Sequence, residues 1–477
     1  MKTKTDLLIR GLMIGFYLIQ LGVVDILNAL PGKENRPVVQ QETSMSGKMD
    51  CARDLVVDSQ GNAYVTGYSY QEGSDVDFAT VKYNSNGHLL WTVRYDGPAH
   101  LTDYAETMAL AGDDGVVVAG HSNGLDTSLD MTVVRYDKNG HLLWTARYDG
   151  PSHRDDYAQD IAVDAKGDVV VTGYSFGAGT EHDYITVKYN SQGNQVWEAR
   201  HNASINRDDA AKAVALDSRG FAYVAGTDRE GKTSYDFATI KYDRNGREIW
   251  TARYSGPDDA FDTAEALAVD VTGCIYVTGY GYNDDTEYDI VTVKYDSDGR
   301  LLWSALFNGP ADRIDTAAAL ALDNGGNIYI TGCSYGLRSA ADIVTIKYDG
   351  RGRQIWAARY DGPAGGADGG SCIIVDSDTF VTVAGSSRGR STDEDIVLLK
   401  YDSRGRPLWE SRYDGPDHGE DRAAALSADS QGNCYVAGYS YGDRTEADYI
   451  LLKYDSQGRL LWMSRLDGAM FGSSDKE

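Results

Sequence analysis

Eight copies of one 53-residue unit, each readable as four short strands, predict an all-β fold: a β-propeller of four-stranded blades. Three observations carry that expectation. The eight tryptophans, Trp91, Trp144, Trp197, Trp250, Trp303, Trp356, Trp409 and Trp462, stand 53 residues apart without an insertion. A glycine ladder (Gly67, Gly120, Gly173, Gly226, Gly279, Gly332, Gly385, Gly438) keeps the same spacing, as does an aspartate ladder (Asp77, Asp130, Asp183, Asp236, Asp289, Asp342, Asp395, Asp448). Short apolar runs alternate with turn signals, and few stretches have the length or period of a helix.

The fifth unit shows the elements in order. Its first strand is read at Asp262–Asp270, the second at Cys274–Tyr280, the third at Asp289–Asp296 and the fourth at Arg300–Phe307. Asp270-Val-Thr-Gly273 and Asp296-Ser-Asp-Gly299 join strands one to two and three to four. Asp opening a tight turn, with Gly three residues on to take positive φ, is hairpin chemistry. The first strand is alanine-rich (Ala264, Ala266, Ala268), which suits crowding around an axis. The fourth carries Trp and other bulky residues, which suits an outer rim. The third is apolar on both faces (Ile290, Val291, Val293), as expected of a strand sandwiched between neighbouring sheets. One such sheet cannot bury its faces alone, so units must stack. Eight full units favour eight blades.

The pattern D-x-A…D-x-x-G-x-x-Y-V-T-G-Y…D-Y-x-T-x-K-Y-D-x-x-G-x-x-x-W-x-x-R-Y-D-G-P resembles the bacterial and archaeal SBBP β-propeller repeat, over Asp50 to about Gly468. That family's name implies seven blades, so seven stays open beside eight. The resemblance implies an extracytoplasmic protein and brings no catalytic residue. The D-x-x-G-x-x-x-W segment is also similar to the tryptophan-docking repeats of quinoprotein dehydrogenases. Those place one more residue between Asp and Gly and use a vicinal cysteine pair, which this chain lacks. The likeness therefore implies an inter-blade role for Trp rather than the enzyme.

Outside the ladder, Lys2, Lys4 and Arg10 precede an apolar run from Gly11 to Val24. Residues 1–30 read as a secretory signal, with an uncleaved anchor as the minority reading. Residues 31–49 read as a linker, 50–470 as the propeller and 471–477 as a disordered tail. Export makes the expected location secreted, periplasmic or cell-surface. Formal net charge is −27, which argues against nucleic acid and anionic lipid. Membrane contact would run only through an uncleaved N-terminus, and a monomer is expected. Five cysteines, Cys51, Cys274, Cys333, Cys372 and Cys434, share no register, so no disulfide framework is predicted.

Two rings of aspartate, Asp50 to Asp421 at the start of each first strand and the Asp77 ladder, could hold calcium near the axis. Backbone capping and pairing is the favoured role, and no cofactor is predicted. The Lys/Arg-Tyr pairs of the third strand are expected to find partners, because a buried unpaired charge costs several kcal/mol. Function should lie where the blades disagree. The loops from strand four to the next strand one contain His100, His153-Arg154-Asp155, Arg207-Asp208, Asp312-Arg313 and His418-Gly-Glu420, and the fourth unit has His201-Asn-Ala-Ser204 instead of Tyr-Asp-Gly-Pro. The loops between strands two and three contribute Asp75, His182, Tyr235 and Tyr288. From these, His100, His153, Arg154, Asp155, His182, Arg207, Asp208, Arg313 and His418 are the candidate ligand-binding residues.

No G-x-S-x-G elbow, P-loop, H-E-x-x-H or cysteine-nucleophile context is present, so no catalytic residue is assigned. The expectation is a protein- or carbohydrate-binding scaffold using its loop-rich face. The alternative is an extracytoplasmic enzyme, a polysaccharide lyase, a hydrolase or a quinone-dependent oxidoreductase, and a third reading is a structural surface protein.

Overall fold

The computed structural model describes residues 49–466 except 72–74, 113–114, 204–206, 230–234, 257–259 and 443–444. The signal or anchor segment, nearly all of the linker and the tail lie outside the described residues. Within them the chain forms eight four-stranded antiparallel sheets, each ordered first to fourth strand in sequence, and no helix. The eighth blade is complete in itself, from Asp421–Ala428 to Leu460–Leu466. Blade number is therefore eight. In blade 5 the strands are Asp262–Val269, Ile275–Asn283, Glu287–Tyr295 and Leu301–Phe307. The second and third run further towards the loop face than their apolar cores suggest, pairing out to Asn283 and Glu287. First strands of neighbouring blades pack on one another around the ring, including blade 1 on blade 8. Each hydrophobic cluster draws on two adjacent blades, as when Tyr184 and Trp197 of blade 3 meet Ala211, Val224 and Ile240 of blade 4. No blade buries its own faces alone.

The tryptophan ladder closes the ring. Every indole N–H donates to a carbonyl in the next blade: Trp91 to Lys138, Trp250 to Ser297 and Trp409 to Ser456 at 3.0–3.2 Å, and finally Trp462 to Ser85 at 3.2 Å. The ring lies against the glycine of the next blade's tight turn. At Gly299, where φ is +81°, a Cβ would come 2.6 Å from the Trp250 ring. One glycine thus serves two needs, the left-handed turn and the close approach of an indole. Third-strand cations reach the same carbonyls: Lys82 meets Lys138 O at 3.1 Å and Arg135 meets Ser191 O at 2.9 Å. Lys294 also sits 4.7 Å from the centroid of Tyr276, a cation–π contact. The expected structural role of these cations holds.

The second glycine ladder has a different cause. Each first strand carries a β-bulge at one register, as between Ala52 and Asp54 or between Ala264 and Ala266. The bulge swings the carbonyl just before it over the second strand. A Cβ on Gly67 would meet Cys51 O at 2.0 Å, and one on Gly279 would meet Thr263 O at 1.9 Å. Gly67 and its seven counterparts are the space that the bulge occupies.

Candidate functional site

Both aspartate rings are engaged with the protein. Asp156 accepts the Gly150 N–H at 2.6 Å, Asp421 accepts Gly415 at 2.6 Å, and Asp209 accepts both Ala203 and Arg229 amides at 2.8 Å. Burial pushes these carboxyls up, to about 6 for Asp103, Asp156, Asp315 and Asp421 and about 7 for Asp209. The other ring pairs with arginine 17 residues on: Asp130 with Arg147 at 2.8 Å, Asp342 with Arg359 at 2.7 Å and Asp395 with Arg412 at 2.8 Å. Four groups of three carboxylates, such as Asp130, Asp149 and Asp156, bring one oxygen each within 4.8 Å of the others. Each group already holds a guanidinium. Where blade 5 has Leu306 at the arginine position, the middle carboxylate is also lost, to Asn308. The middle carboxylate is absent from blades 3 and 4 as well, as Asn202 and Ser255, although Arg200 and Arg253 remain.

His100, His153 and His418 share one register. Each has positive φ (52°, 52° and 58°), and each Nδ1 lies 2.6–2.7 Å from the Asp that opens its loop, Asp96, Asp149 or Asp414. Asp312 and Gly365 take the same place with φ 49° and 61°. His, Asp and Gly are residue types that tolerate this region. The three rings are 64–71% exposed, so a backbone role and an outward-facing ring coexist.

The structure brings four of the other candidates together in one sector. The Arg154 guanidinium lies 3.6 Å from the centroid of Phe176, whose ring is 3.8 Å from His182. His182 Nδ1 is 2.8 Å from Asp208; burial raises that carboxyl, but the side-chain bond, charge and backbone amide of His182 together hold it below the usual range. Exposed Arg207 lowers it further. Asp155 accepts the hydroxyl of Ser128 and the Leu129 amide. From His182 a run of rings crosses to blade 1 through Tyr174, Tyr157, His121, Tyr104 and Tyr68, at centroid distances of 4.8–5.4 Å. His121 is 3% exposed, its Nδ1 has no hydrogen-bond partner, and burial lowers its pKa. Its imidazole is therefore neutral near pH 7. Arg313 lies elsewhere, 4.5 Å over Tyr335 of blade 6, and His100 and His418 belong to the junctions of blades 1/2 and 7/8.

Sequence reasoning missed the bulge residues themselves. A bulge re-aims one side chain, and here it recurs at the same place in all eight first strands. The residue it presents does not recur: Arg53, Glu106, Gln159, Lys212, Glu265, Ala318, Ser371 and Ala424. Arg53 and Glu106, from neighbouring innermost strands, pair at 2.9 Å. Lys212 lowers the carboxyl of Glu265, which burial raises overall. One position along, Asp54 takes the Met108 amide at 2.7 Å and Asp160 the Val214 amide at 2.7 Å, linking adjacent blades, and burial lifts them to about 6 and about 7. The signal was present in the sequence as a register of constant spacing and maximal variation. On the opposite, turn-bearing face the clefts between blades 8 and 1 (about 690 Å³) and 3 and 4 (about 460 Å³) are lined by turn residues such as Ser85 and Asp164.

No family model matches the chain. It is 23% identical over 452 residues to an uncharacterized WD repeat-containing protein of Acanthamoeba polyphaga mimivirus, covering 75% of this chain and 31% of that protein. It is 34% identical over 121 residues to the regulatory protein FlaEY of Caulobacter vibrioides, covering 22% of this chain and 12% of that one. The chain thus spans a third or less of the length of these relatives. Among solved structures it is similar to a eukaryotic initiation factor (TM-score 0.47, 10% identity, 88% of this chain and 90% of that one). A putative gluconolactonase aligns at TM-score 0.31 and 15% identity, over 60% of this chain and 87% of its own.

Proposed function

We propose that the chain is an exported interaction scaffold whose protein partner docks on the loop-rich face over blades 1–3 and the start of blade 4. One observation supports this above the others. The aromatic run from Tyr68 to Phe176, with Arg154, His182 and Asp208 at its end, spans that sector with centroid distances of 3.8–5.4 Å, closer than the 5.5 and 6.2 Å that link Tyr235, Phe261 and Tyr288 over blades 4 and 5. His121, Tyr174 and Phe176 are buried, so the run is a rigid platform beneath exposed Arg154, and stacked Arg with aromatic neighbours is the usual make-up of an interface anchor. The acidic surface, with net charge −27, favours a basic partner and suppresses acidic ones.

The test is crosslinking and capture from the cell envelope with the full chain, beside an Arg154→Ala/His182→Ala variant. A partner retained by the first and lost, by about tenfold or more, from the second supports the reading. A partner held equally by both places the interface elsewhere.

A further inference from the structure

Invariant bulge geometry carrying variable chemistry is what a ligand site looks like on a repeat scaffold, and the axial ring has that character. Five consecutive blades present long polar groups there: Arg53, Glu106, Gln159, Lys212 and Glu265. The next three present Ala318, Ser371 and Ala424. The ring is thus divided into a hydrogen-bonding half and a recessed half. At Gly369, on the recessed side, the space where a Cβ would stand is open, with no atom within 4 Å.

The polar half is not a field of one charge. Arg53 is neutralised by Glu106 at 2.9 Å, with its Nε 3.0 Å from the same carboxylate, and Lys212 offsets Glu265. The Thr263 hydroxyl helps to lower the Glu265 carboxyl, while Glu265 Oε1 is buried and has no hydrogen-bond partner of good geometry among the described residues. A charged ligand would have to displace one member of these pairs and leave the other buried and unmatched, at high cost. A hydroxyl is different, because it donates to a carboxylate while accepting from a cation. Acid and base side by side, repeated over five blades with an amide between them, therefore suit successive hydroxyls of a neutral sugar.

We infer that the axial ring of bulge residues is a binding site for a neutral oligosaccharide, held by Arg53, Glu106, Gln159, Lys212 and Glu265 and accommodated against Ala318, Ser371 and Ala424. Arg53 and Glu106 border the loop-face sector, within electrostatic reach of Tyr68 and His121, but the site does not depend on a protein partner there. Glu265 Oε1 takes a sugar hydroxyl as its missing donor.

Calorimetric titration of the full chain with cellohexaose, maltohexaose and chitohexaose, and with hexagalacturonate as the charged control, tests this. Saturable binding of at least one neutral hexaose is expected, weakened about tenfold or more by Glu265→Gln. Ala318→Trp, which removes no polar group, should abolish binding by filling the recessed half. Arg154→Ala/His182→Ala should leave the sugar affinity unchanged, so failure of the loop-face reading is told apart from failure of this one. Absence of binding by all three neutral hexaoses overturns the inference. So does binding of hexagalacturonate alone, or neutral binding that survives both Glu265→Gln and Ala318→Trp in variants with unchanged melting curves.

Discussion

The two ends of each blade obey opposite rules. At the outer, turn-bearing end, eight indoles make the same hydrogen bond to the same kind of carbonyl over the same kind of glycine. At the inner end, eight bulges at one register display six different residue types. Uniformity at the rim closes the ring. Diversity at the axis has no such explanation, because the fold would be satisfied by alanine there, as it is in blades 6 and 8. The comparison separates what the ring needs from what the ring is for.

The sharpest way to break that contrast is at the rim. Trp303→Ala removes an indole and its bond to Gly350 O, and should cost about 3–5 kcal/mol in urea unfolding. Trp91→Ala should cost the same to within about 1 kcal/mol, since the two docks are alike. A large difference between them would mean that the rim is not uniform. Arg359→Leu comes next. It leaves Asp342 buried without its guanidinium, but the arginine is a quarter exposed, so about 2 kcal/mol is expected. Blade 5 already tolerates leucine at this register, with Leu306, because Asn308 replaces a carboxylate nearby. Adding Asp361→Asn to Arg359→Leu should therefore recover part of the loss.

Most of the rim was legible from sequence because it repeats. Spacing alone showed the blades and the turn glycines, and the likeness to tryptophan-docking repeats implied the inter-blade role of Trp. The capping of Asp156 and its counterparts was expected for the same reason. The bulge was not legible, since its signature is a close approach between Gly67 and the Cys51 carbonyl rather than any residue type. The site was read in part. Arg154, Asp155, His182 and Asp208 were found as departures from the ladder, and the structure gathers them. Tyr104, His121 and Tyr157 escaped because a tyrosine in a strand reads as core. Glu106 and Glu265 escaped because a lone charge in an alanine-rich strand has no partner visible in one sequence.

Acidity should act on the inner end more than on the rim. Asp54, Asp103, Asp156, Asp315 and Asp421 are raised to about 6, and Asp160 and Asp209 to about 7, all by burial. A folded pKa above the unfolded value gives stability that is complete below the ordinary carboxylate range and lost as pH rises through 6–7. Turn aspartates such as Asp164, Asp217 and Asp270 are held low by the amides they cap, so their contribution is lost only as pH falls below about 4. The melting temperature should therefore peak near pH 4, decline by a few degrees towards pH 7 and level off above it. Asp160→Asn should flatten that decline. A melting temperature that rises from pH 5 to pH 8 would show that these carboxyls are ionised at little cost.

The smallest effect tests whether a position can belong to both ends of the comparison. His153 has φ 52° and an Nδ1 2.6 Å from Asp149, yet its ring is 68% exposed. If the backbone alone selects this residue, His153→Gly should be neutral to within about 0.5 kcal/mol, because glycine takes positive φ freely. His153→Ala keeps a Cβ in the left-handed region and loses the ring's bond to Asp149, so it should be about 1 kcal/mol less stable than His153→Gly. If the ring also meets the partner, both variants weaken capture equally despite their different stabilities. Equal capture by wild type, glycine and alanine forms would assign His153 to the scaffold and leave Arg154, His182 and Asp208 as the recognition residues of this sector. Stability and binding read different atoms of the same residue here, the Cβ and the imidazole, so measuring both on these two variants separates them.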